Sequence, residues 1–406
     1  MKVLHLVHTH PSLGSTGGTE LYVQALAEAR GDPVFTRDHG EGLRREDRLW
    51  LAGSPAPTDF RASWSQPALG AALRRVMEQE RADLIHVHHL AHLDLGPPPA
   101  PYVVTLHDYH LACARGQLVD SAGALCEGPS PAACARCLAP QLRVPRRLSS
   151  LGGALGRLGL RDLAGRALGA APPSPEMQRR VAERNASAAS VLRGARRVLS
   201  PSSTLARRFE ALGLAQGVQV QDLPLLGAMG RREPRPGPTR FLFVGALIPT
   251  KGPLELVQAF AEVGDGGLRL YGPKVPYFGD LTYAEEVLRA AERTPGASYG
   301  GVFSPSERAA VFADADVLVV PSSWPENSPL VVREALATGL HVIATDHGGV
   351  RELDPEASTV PPGDRAALVA ALVAACQAPL PPRPRRAWPM EQHLDELEAH
   401  YRAALG

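Results

Sequence analysis

Two glutamates in one short stretch, "PENSPLVVREALATG" (Pro325 to Gly339), raise the first chemical question. Glu326 and Glu334 have seven residues between them across a Ser-Pro step. Ser328 is a natural helix N-cap and Pro329 a natural first helical residue, so the spacing places Glu326 in a loop and Glu334 over one turn into a helix. Carboxylates placed so differently accept hydrogen bonds from two parts of one polyhydroxylated ligand. The backbone from Asn327 to Leu330 offers amides at a helix start, which suit a phosphate or a sugar hydroxyl. Either glutamate alone reads as solvated surface; the pair, in this loop-to-helix setting, reads as a site. Paired carboxylates also flank the scissile bond of glycosidases, but the phosphate-cradling features elsewhere in the chain argue against that.

Those features begin with "FVGALIPTKG" (Phe241 to Gly252), which follows Gly245 with Lys251 just before a helix. A lysine beside helix amides neutralises a diphosphate, above all one that carries charge as a leaving group. Near the amino terminus, Gly17 and Gly18 open a helix and let a ligand approach the backbone closely. Their spacing is not GxGxxG, and a purely steric turn accounts for them equally well. In "HDYH", His107 ends a strand and can donate to a ligand oxygen or move a proton; Asp108 and His110 suit supporting roles. Four of the five cysteines, Cys113, Cys126, Cys134 and Cys137, fall in one segment, the last two as C-x2-C. That knuckle spacing suits a closed structural zinc of four thiolates, with separate free thiols or a disulfide as the alternatives. Cys376, alone on an alanine-rich stretch, reads as core.

The elements that must hold these residues alternate. Short β-branched runs ("KVLHLV", "DLIHVHH", "YVVTLHD", "RRVLSPS") are interleaved with amphipathic ones in the first half. The second half repeats the scheme with "RFLFVGA", "LRLYG", "VLVVPS" and "HVIATD" as strands. This is the pattern of parallel sheets covered by helices, an α/β class, and the chemistry-bearing residues fall just after strands, where such sheets bind ligands. Pro- and Arg-rich breaks at Arg231–Thr239 and Pro379–Pro389 divide the 406 residues. Residues 1–230 are expected to form an amino-terminal domain and 231–385 a carboxyl-terminal nucleotide-binding one. A final helix in 386–406 is expected to cross back to the first.

Hydrophobic residues at 44% and charged residues at 21% describe an ordinary globular chain, and 43 Lys plus Arg against 42 Asp plus Glu give no reason to expect a nucleic-acid partner. No run approaches the roughly 18 apolar residues of a membrane span. The start, "MKVLHLVHTH", fits a first strand better than a signal peptide. A cytoplasmic protein is expected. The basic, leucine-rich segment from Leu142 to Arg180 leaves contact with the inner face of the membrane as one reading and solvated helices as the other.

Together these segments resemble the family 4 glycosyltransferases, retaining enzymes of the GT-B fold. The resemblance is strongest from Phe241 to Leu353, where "PENSPLVVREALATGLHVIATDHGGVREL" matches the E-x7-E signature and its continuation. It implies two Rossmann-like domains facing an interdomain cleft, a nucleotide-diphosphate sugar donor, and an acceptor hydroxyl of unknown identity, lipid-linked acceptors included. It implies that Glu326 and the Asn327–Leu330 backbone hold the donor sugar, Glu334 the ribose, Gly17 and Gly18 the diphosphate side, His107 the sugar near the reacting centre, and Lys251 the pyrophosphate. Transfer would retain anomeric configuration without a catalytic metal or other cofactor, in polysaccharide, glycolipid or natural-product biosynthesis. One departure stands out: the family's usual Gly-Arg is Gly245-Ala246 here, and Arg115 is a conceivable stand-in for the missing guanidinium. The departure keeps two other readings open, a non-catalytic sugar-nucleotide-binding protein and a nucleotide-sugar epimerase of the same fold.

Overall fold

The structure, a computed structural model, describes residues 1–14, 17–54, 60, 63–93, 96–120, 123–142, 173–232, 235–277, 279–377 and 380–406. The chain divides into two compact units, Met1–Leu226 with Pro389–Gly406, and Gly227–Trp388.

The first unit runs β1 (Val3–Leu6), α1 (Gly18–Arg30), β2 (Val34–Asp38), β3 (Leu43–Glu46), β4 (Leu49–Gly53), α2 (Pro67–Glu80), β5 (Leu84–Val87) and β6 (Tyr102–Thr105). It continues with α3 (Pro131–Leu142), α4 (Pro175–Gly194), β7 (Arg197–Ser200), α5 (Ser203–Ala211) and β8 (Gln219–Val220). Its sheet has the order β3-β4-β2-β1-β5-β6-β7-β8, parallel throughout except for the β3–β4 hairpin. β1, β5 and β6 are buried along their whole length, as strands covered on both faces must be.

The second unit runs β9 (Arg240–Val244), α6 (Pro253–Phe260), β10 (Gly267–Tyr271), α7 (Thr282–Arg293), β11 (Ala297–Gly301), α8 (Arg308–Ala313) and β12 (Val317–Val320). α9 (Leu330–Thr338), β13 (His341–Thr345), α10 (Val350–Leu353), β14 (Ser358–Val360) and α11 (Arg365–Gln377) follow. Its parallel sheet has the order β11-β10-β9-β12-β13-β14. Phe241, Phe243, Leu256, Val257, Leu268, Val317, Val319 and Leu372 form its core, with Cys376 packed against the edge. β9 is flanked by β10 on one side and β12 on the other, so the strand order reverses there; carboxyl-terminal strand ends at such a point are where open α/β sheets leave room for a ligand.

The division at Leu226/Gly227 falls a few residues before the Pro/Arg-rich stretch that begins at Arg231. The reason is local: Arg232 is buried, pairs with Asp316 at 3.0 Å, and its N–H donates to the Thr338 carbonyl at 2.9 Å. The second Pro-rich stretch is likewise docked on this unit through Arg383, which grips both oxygens of Asp354 at 2.7 and 2.8 Å. The last helix, α12 (Met390–Leu405), packs on the first unit: the Tyr401 hydroxyl lies 2.7 Å from His86 Nδ1 and Glu398 pairs with Arg30 at 3.0 Å. Among the described residues no helix is long and apolar enough to cross a membrane.

Candidate functional site

In the second unit the loops after β9 and β12 are stitched together. Lys251 ends a short 3-10 turn, and Gly252 follows with φ 69°, in the left-handed region that favours glycine. A Cβ there would overlap the Pro321 carbonyl oxygen, so only glycine lets the two loops meet. The Ser323 N–H then donates to the Thr250 carbonyl at 3.0 Å.

Glu326 lies buried in that junction. Its Oε1 accepts from Lys251 Nζ at 2.7 Å, the Ser322 hydroxyl at 2.5 Å and Trp324 Nε1 at 3.0 Å. Lys251 Nζ also sits 4.9 Å from the Trp324 ring centre, a cation–π contact that fixes the ammonium without spending its donors. An ammonium has three donors, so the bond to Glu326 leaves Lys251 the valence to meet an anion as well. Behind Glu326, the Gly349 N–H donates to its carbonyl at 2.6 Å, and Gly348, with φ 80°, brings its backbone so close that a Cβ would strike the Glu326 main chain. Gly348-Gly349 thus fixes the glutamate from the β13 side, a contribution that sequence reading passed over although the glycine pair was a signal.

The helix start differs from the sequence expectation by one position. Pro329 occupies the N-cap of α9, and the Ser328 hydroxyl accepts from Arg333 at 2.7 Å instead of capping the helix. Arg333 is wholly buried, stacks 4.9 Å from the Trp388 ring and needs acceptors more than the helix needs a hydroxyl cap. Asn327 and Ser328 are buried beside Glu326, and Leu330 begins the helix. Glu334 is buried one turn on, with Arg308 Nε at 3.4 Å. Burial outweighs that arginine and pushes its pKa up to about 7. The first turn of α6, expected to offer amides to a diphosphate, spends one of them: the Leu254 N–H donates to the Tyr283 hydroxyl at 3.3 Å. At the end of β9, Gly245 donates to the Tyr271 carbonyl at 2.9 Å, and its own carbonyl lies where a Cβ on Gly272 would be. A cavity of about 930 Å³ elsewhere in this unit, lined among others by Arg240, Arg269, Tyr271 and Asp314, includes none of Lys251, Glu326 and Glu334.

In the first unit, Gly17 is the N-cap of α1 and Gly18 its first residue. The place a Gly17 Cβ would take is filled by the Glu20 carboxylate, whose burial raises its pKa. His107 follows β6 and hydrogen-bonds through Nε2 to His88 Nδ1 at 3.1 Å; burial pushes its pKa down to about 3. Asp108 pairs with His89 at 3.0 Å and accepts the His110 N–H at 2.7 Å, both supporting contacts.

His107 is one of a stripe that sequence reading treated singly. In strands alternate residues share a face: His86 and His88 lie two apart, as do Thr105 and His107, and the β1–β5 register pairs His5 with His86. His5, His86 and His88 are buried, with ligand atoms within 4.8 Å of one another. Five of their six nitrogens are engaged, and His5 Nε2 alone of them has no hydrogen-bond partner among the described residues. His86 meets the Tyr401 hydroxyl and Thr105 Oγ1, each at 2.7 Å, and His5 Nδ1 meets His88 Nε2 at 3.0 Å. This is a hydrogen-bonded network, not a converging set of lone pairs.

All five cysteines are free thiols. The Ser130 N–H donates to Cys134 Sγ at 3.4 Å and Cys126 Sγ to the Gly128 carbonyl at 3.5 Å. Burial and the neighbouring thiols, Cys113 and Cys137 among them, raise the pKa of Cys126 and Cys134. Arg115, the guanidinium considered as a stand-in at Ala246, donates to Cys137 Sγ at 3.4 Å. Arg184 is buried nearby without a carboxylate partner among the described residues, held by the His110 carbonyl, and burial pulls its pKa to about 10.

Residues 238–378 match the family model described as glycosyl transferases group 1. Over 122 residues the chain is 33% identical to the lipopolysaccharide 1,2-N-acetylglucosaminetransferase of Salmonella typhimurium, covering 28% of this chain and 32% of that protein. Over 175 residues it is 33% identical to the GDP-mannose-dependent alpha-mannosyltransferase of Mycolicibacterium smegmatis, covering 40% and 43%. The matches thus span less than half the length of either relative. Among solved structures, sucrose-phosphate synthase from Thermosynechococcus elongatus superposes with a TM-score of 0.64 at 18% identity, covering 99% of this chain and 98% of that one. Anabaena HepE in complex with UDP-glucose superposes with a TM-score of 0.56 at 16% identity, covering 93% and 90%. The chain has the GT-B fold, two parallel-sheet α/β domains, and its second unit carries the match to group 1 glycosyltransferases.

Proposed function

We propose that the protein is a retaining glycosyltransferase that takes a sugar from a nucleotide-diphosphate sugar to an acceptor hydroxyl, in polysaccharide, glycolipid or natural-product biosynthesis. The observation that carries the reading is the convergence of Lys251, Ser322 and Trp324 on one oxygen of buried Glu326, at the carboxyl ends of β9 and β12, inside the segment that matches group 1 glycosyltransferases. Glu326 and the Asn327–Leu330 backbone hold the donor sugar, Glu334 the ribose, and Lys251 the pyrophosphate. Gly17, Gly18 and His107 are assigned to the donor as well, and Gly245 allows the backbone to approach it.

In the transfer the bond from the anomeric carbon to the diphosphate oxygen breaks, and a bond from that carbon to the acceptor oxygen forms on the same face. The acceptor's proton ends on the departing diphosphate oxygen. Lys251 offsets the charge that develops there, a role worth several kcal/mol in comparable sites. No divalent ion takes part in this scheme.

A structural zinc on Cys113, Cys126, Cys134 and Cys137 belongs to the same reading, although among the described residues the set whose ligand atoms already lie within 4.8 Å of one another is His5, His86 and His88, so the four sulfurs would have to draw together around the ion. Four thiolates around one zinc carry a net double negative charge, and Arg115 and Arg184 are the cations placed to offset it. The acceptor is proposed to be lipid-linked, met by a cytoplasmic enzyme at the inner face of the membrane; of the basic segment that suggested this, residues 143–172 lie outside the described residues. Incubation with UDP-, GDP- and dTDP-sugars, followed by nucleoside diphosphate release and the anomeric configuration of the product, tests the reading. Inverted product would refute retention, and an epimer formed without acceptor would favour the epimerase.

A further inference from the structure

Arg37 is a buried charge with no carboxylate paired to it among the described residues. It lies in β2 and is 8% exposed, yet its guanidinium reaches only the His92 carbonyl, from Nη1 at 3.5 Å. A guanidinium carries five N–H groups, and here one long hydrogen bond is made. Asp38 comes next in the strand, but successive side chains leave a strand on opposite faces, and the Asp38 carboxylate pairs with Arg44. Burial pulls the Arg37 pKa down and Asp38 restores part of it; the group stays a cation at any ordinary pH. A buried cation is costly unless an anion meets it.

The surroundings leave that place open. Neither Nε nor Nη2 of Arg37 is sealed in the protein, so both can be reached from solvent. His92 holds φ 58°, in the left-handed region where a residue with a side chain is uncommon. In that conformation its carbonyl serves Arg37 and also Gln66 Nε2, the latter at 3.1 Å. Burial and Arg37 itself lower the His92 pKa, so the ring beside the guanidinium is neutral near pH 7.

The place in the sheet says which molecule the anion belongs to. Arg37 is next to last in β2, and β2, β1, β5 and β6 are parallel neighbours, so it lies at the same carboxyl end as His107, which follows β6. Between β2 and β6 there are three strand spacings of about 4.8 Å, or roughly 14 Å across the sheet. A group that meets Arg37 is therefore not the one that meets His107, and the pyrophosphate of the donor is already assigned to Lys251. We propose that Arg37 anchors an oxyanion subsite, filled by a phosphate or carboxylate on the acceptor that sets two oxygens against the guanidinium fork. The acceptor's part in this rests on the function proposed above; the oxyanion site does not.

The full chain labelled with 15N-arginine tests the site through the Arg37 Nε–H signal. That signal is assigned by its loss in Arg37→Lys, or in Arg37→Met should the first variant not fold. Inorganic phosphate and acetate are titrated in turn, with sodium chloride as the reference at equal ionic strength. Saturable movement of the signal with phosphate, acetate or both is expected, and none with chloride; phosphate alone points to a phosphorylated acceptor, acetate alone to a carboxylic one. A signal that neither anion moves, or that chloride moves as much, overturns the proposal. The titration is then repeated with UDP, GDP or dTDP bound, and the movement should persist. Its loss would make Arg37 part of the donor site and overturn the acceptor assignment. If none of the three nucleotides binds, the transferase reading fails and the acceptor role with it, while the oxyanion site stands or falls on the first titration.

Discussion

Lys251 Nζ donates to Glu326 Oε1 at 2.7 Å, joining the turn after β9 to the loop after β12. The ammonium is about a quarter exposed while the carboxylate is buried, so a ligand can reach Lys251 without first uncovering Glu326. Glu326→Ala should lower transfer at least about 100-fold, the scale of losing a preorganised polar partner. The fold should survive, because the position is a loop. Steady-state turnover beside a melting curve checks both, and full activity in the variant would end the assignment of Glu326 to the donor sugar.

Glu334 supplies a pH dependence. Its folded pKa of about 7 stands above the usual 4.5, so the folded protein keeps a proton there that the unfolded chain loses across that interval. The stabilising contribution is complete below 4.5 and is lost as pH rises through 7. Glu334→Gln, neutral at every pH, should gain stability relative to wild type on going from about pH 6 to about pH 8, by at most about 3 kcal/mol. Denaturant melts at the two pH values measure it. Donor binding should move oppositely: if the ribose needs the carboxylate, wild-type affinity falls on acidification while that of Glu334→Gln is weaker and flat.

Gly348 should not tolerate a side chain. Its φ of 80° and the Glu326 backbone against it mean that Gly348→Ala meets both strain and a clash. A cost of about 2–4 kcal/mol is expected, with a loss of activity beyond that stability change because Glu326 is displaced. Gly363→Ala, also at positive φ but in open space, is the control that carries the backbone strain without the clash.

The cysteine cluster makes a stoichiometric prediction. Protein purified without chelator should hold about one zinc per chain, and Cys134→Ser with Cys137→Ser should hold none. Arg184→Met should weaken zinc retention against a competing chelator. Metal-free protein with unchanged melting behaviour would contradict a structural zinc.

Legibility followed pattern strength. Strands such as "VLVVPS" and "HVIATD" are apolar runs between turn residues, and β12 and β13 lie inside them. β11, Ala297–Gly301, reads "ASYGG", and β14 is three residues long, so neither carries an apolar run; both are strands because a neighbour offers a paired edge. Glu326 was visible through its spacing to Glu334, but not the three donors that meet on Oε1, since those depend on how two loops cross. The histidine row was written in the sequence as alternation in "LHLVH", "IHVHH" and "TLHDYH". Reading it required the register between β1 and β5, which no single strand contains.

The central claim is that a nucleotide sugar binds through Lys251 and Glu326 with no divalent ion, and calorimetric titration in EDTA tests it most directly. With UDP-glucose, GDP-mannose and dTDP-glucose as titrants, at least one should bind the wild-type protein, and Lys251→Ala should weaken that binding at least about tenfold. No binding by the folded protein in EDTA, binding that appears only when magnesium is restored, or equal affinity in Lys251→Ala would contradict it.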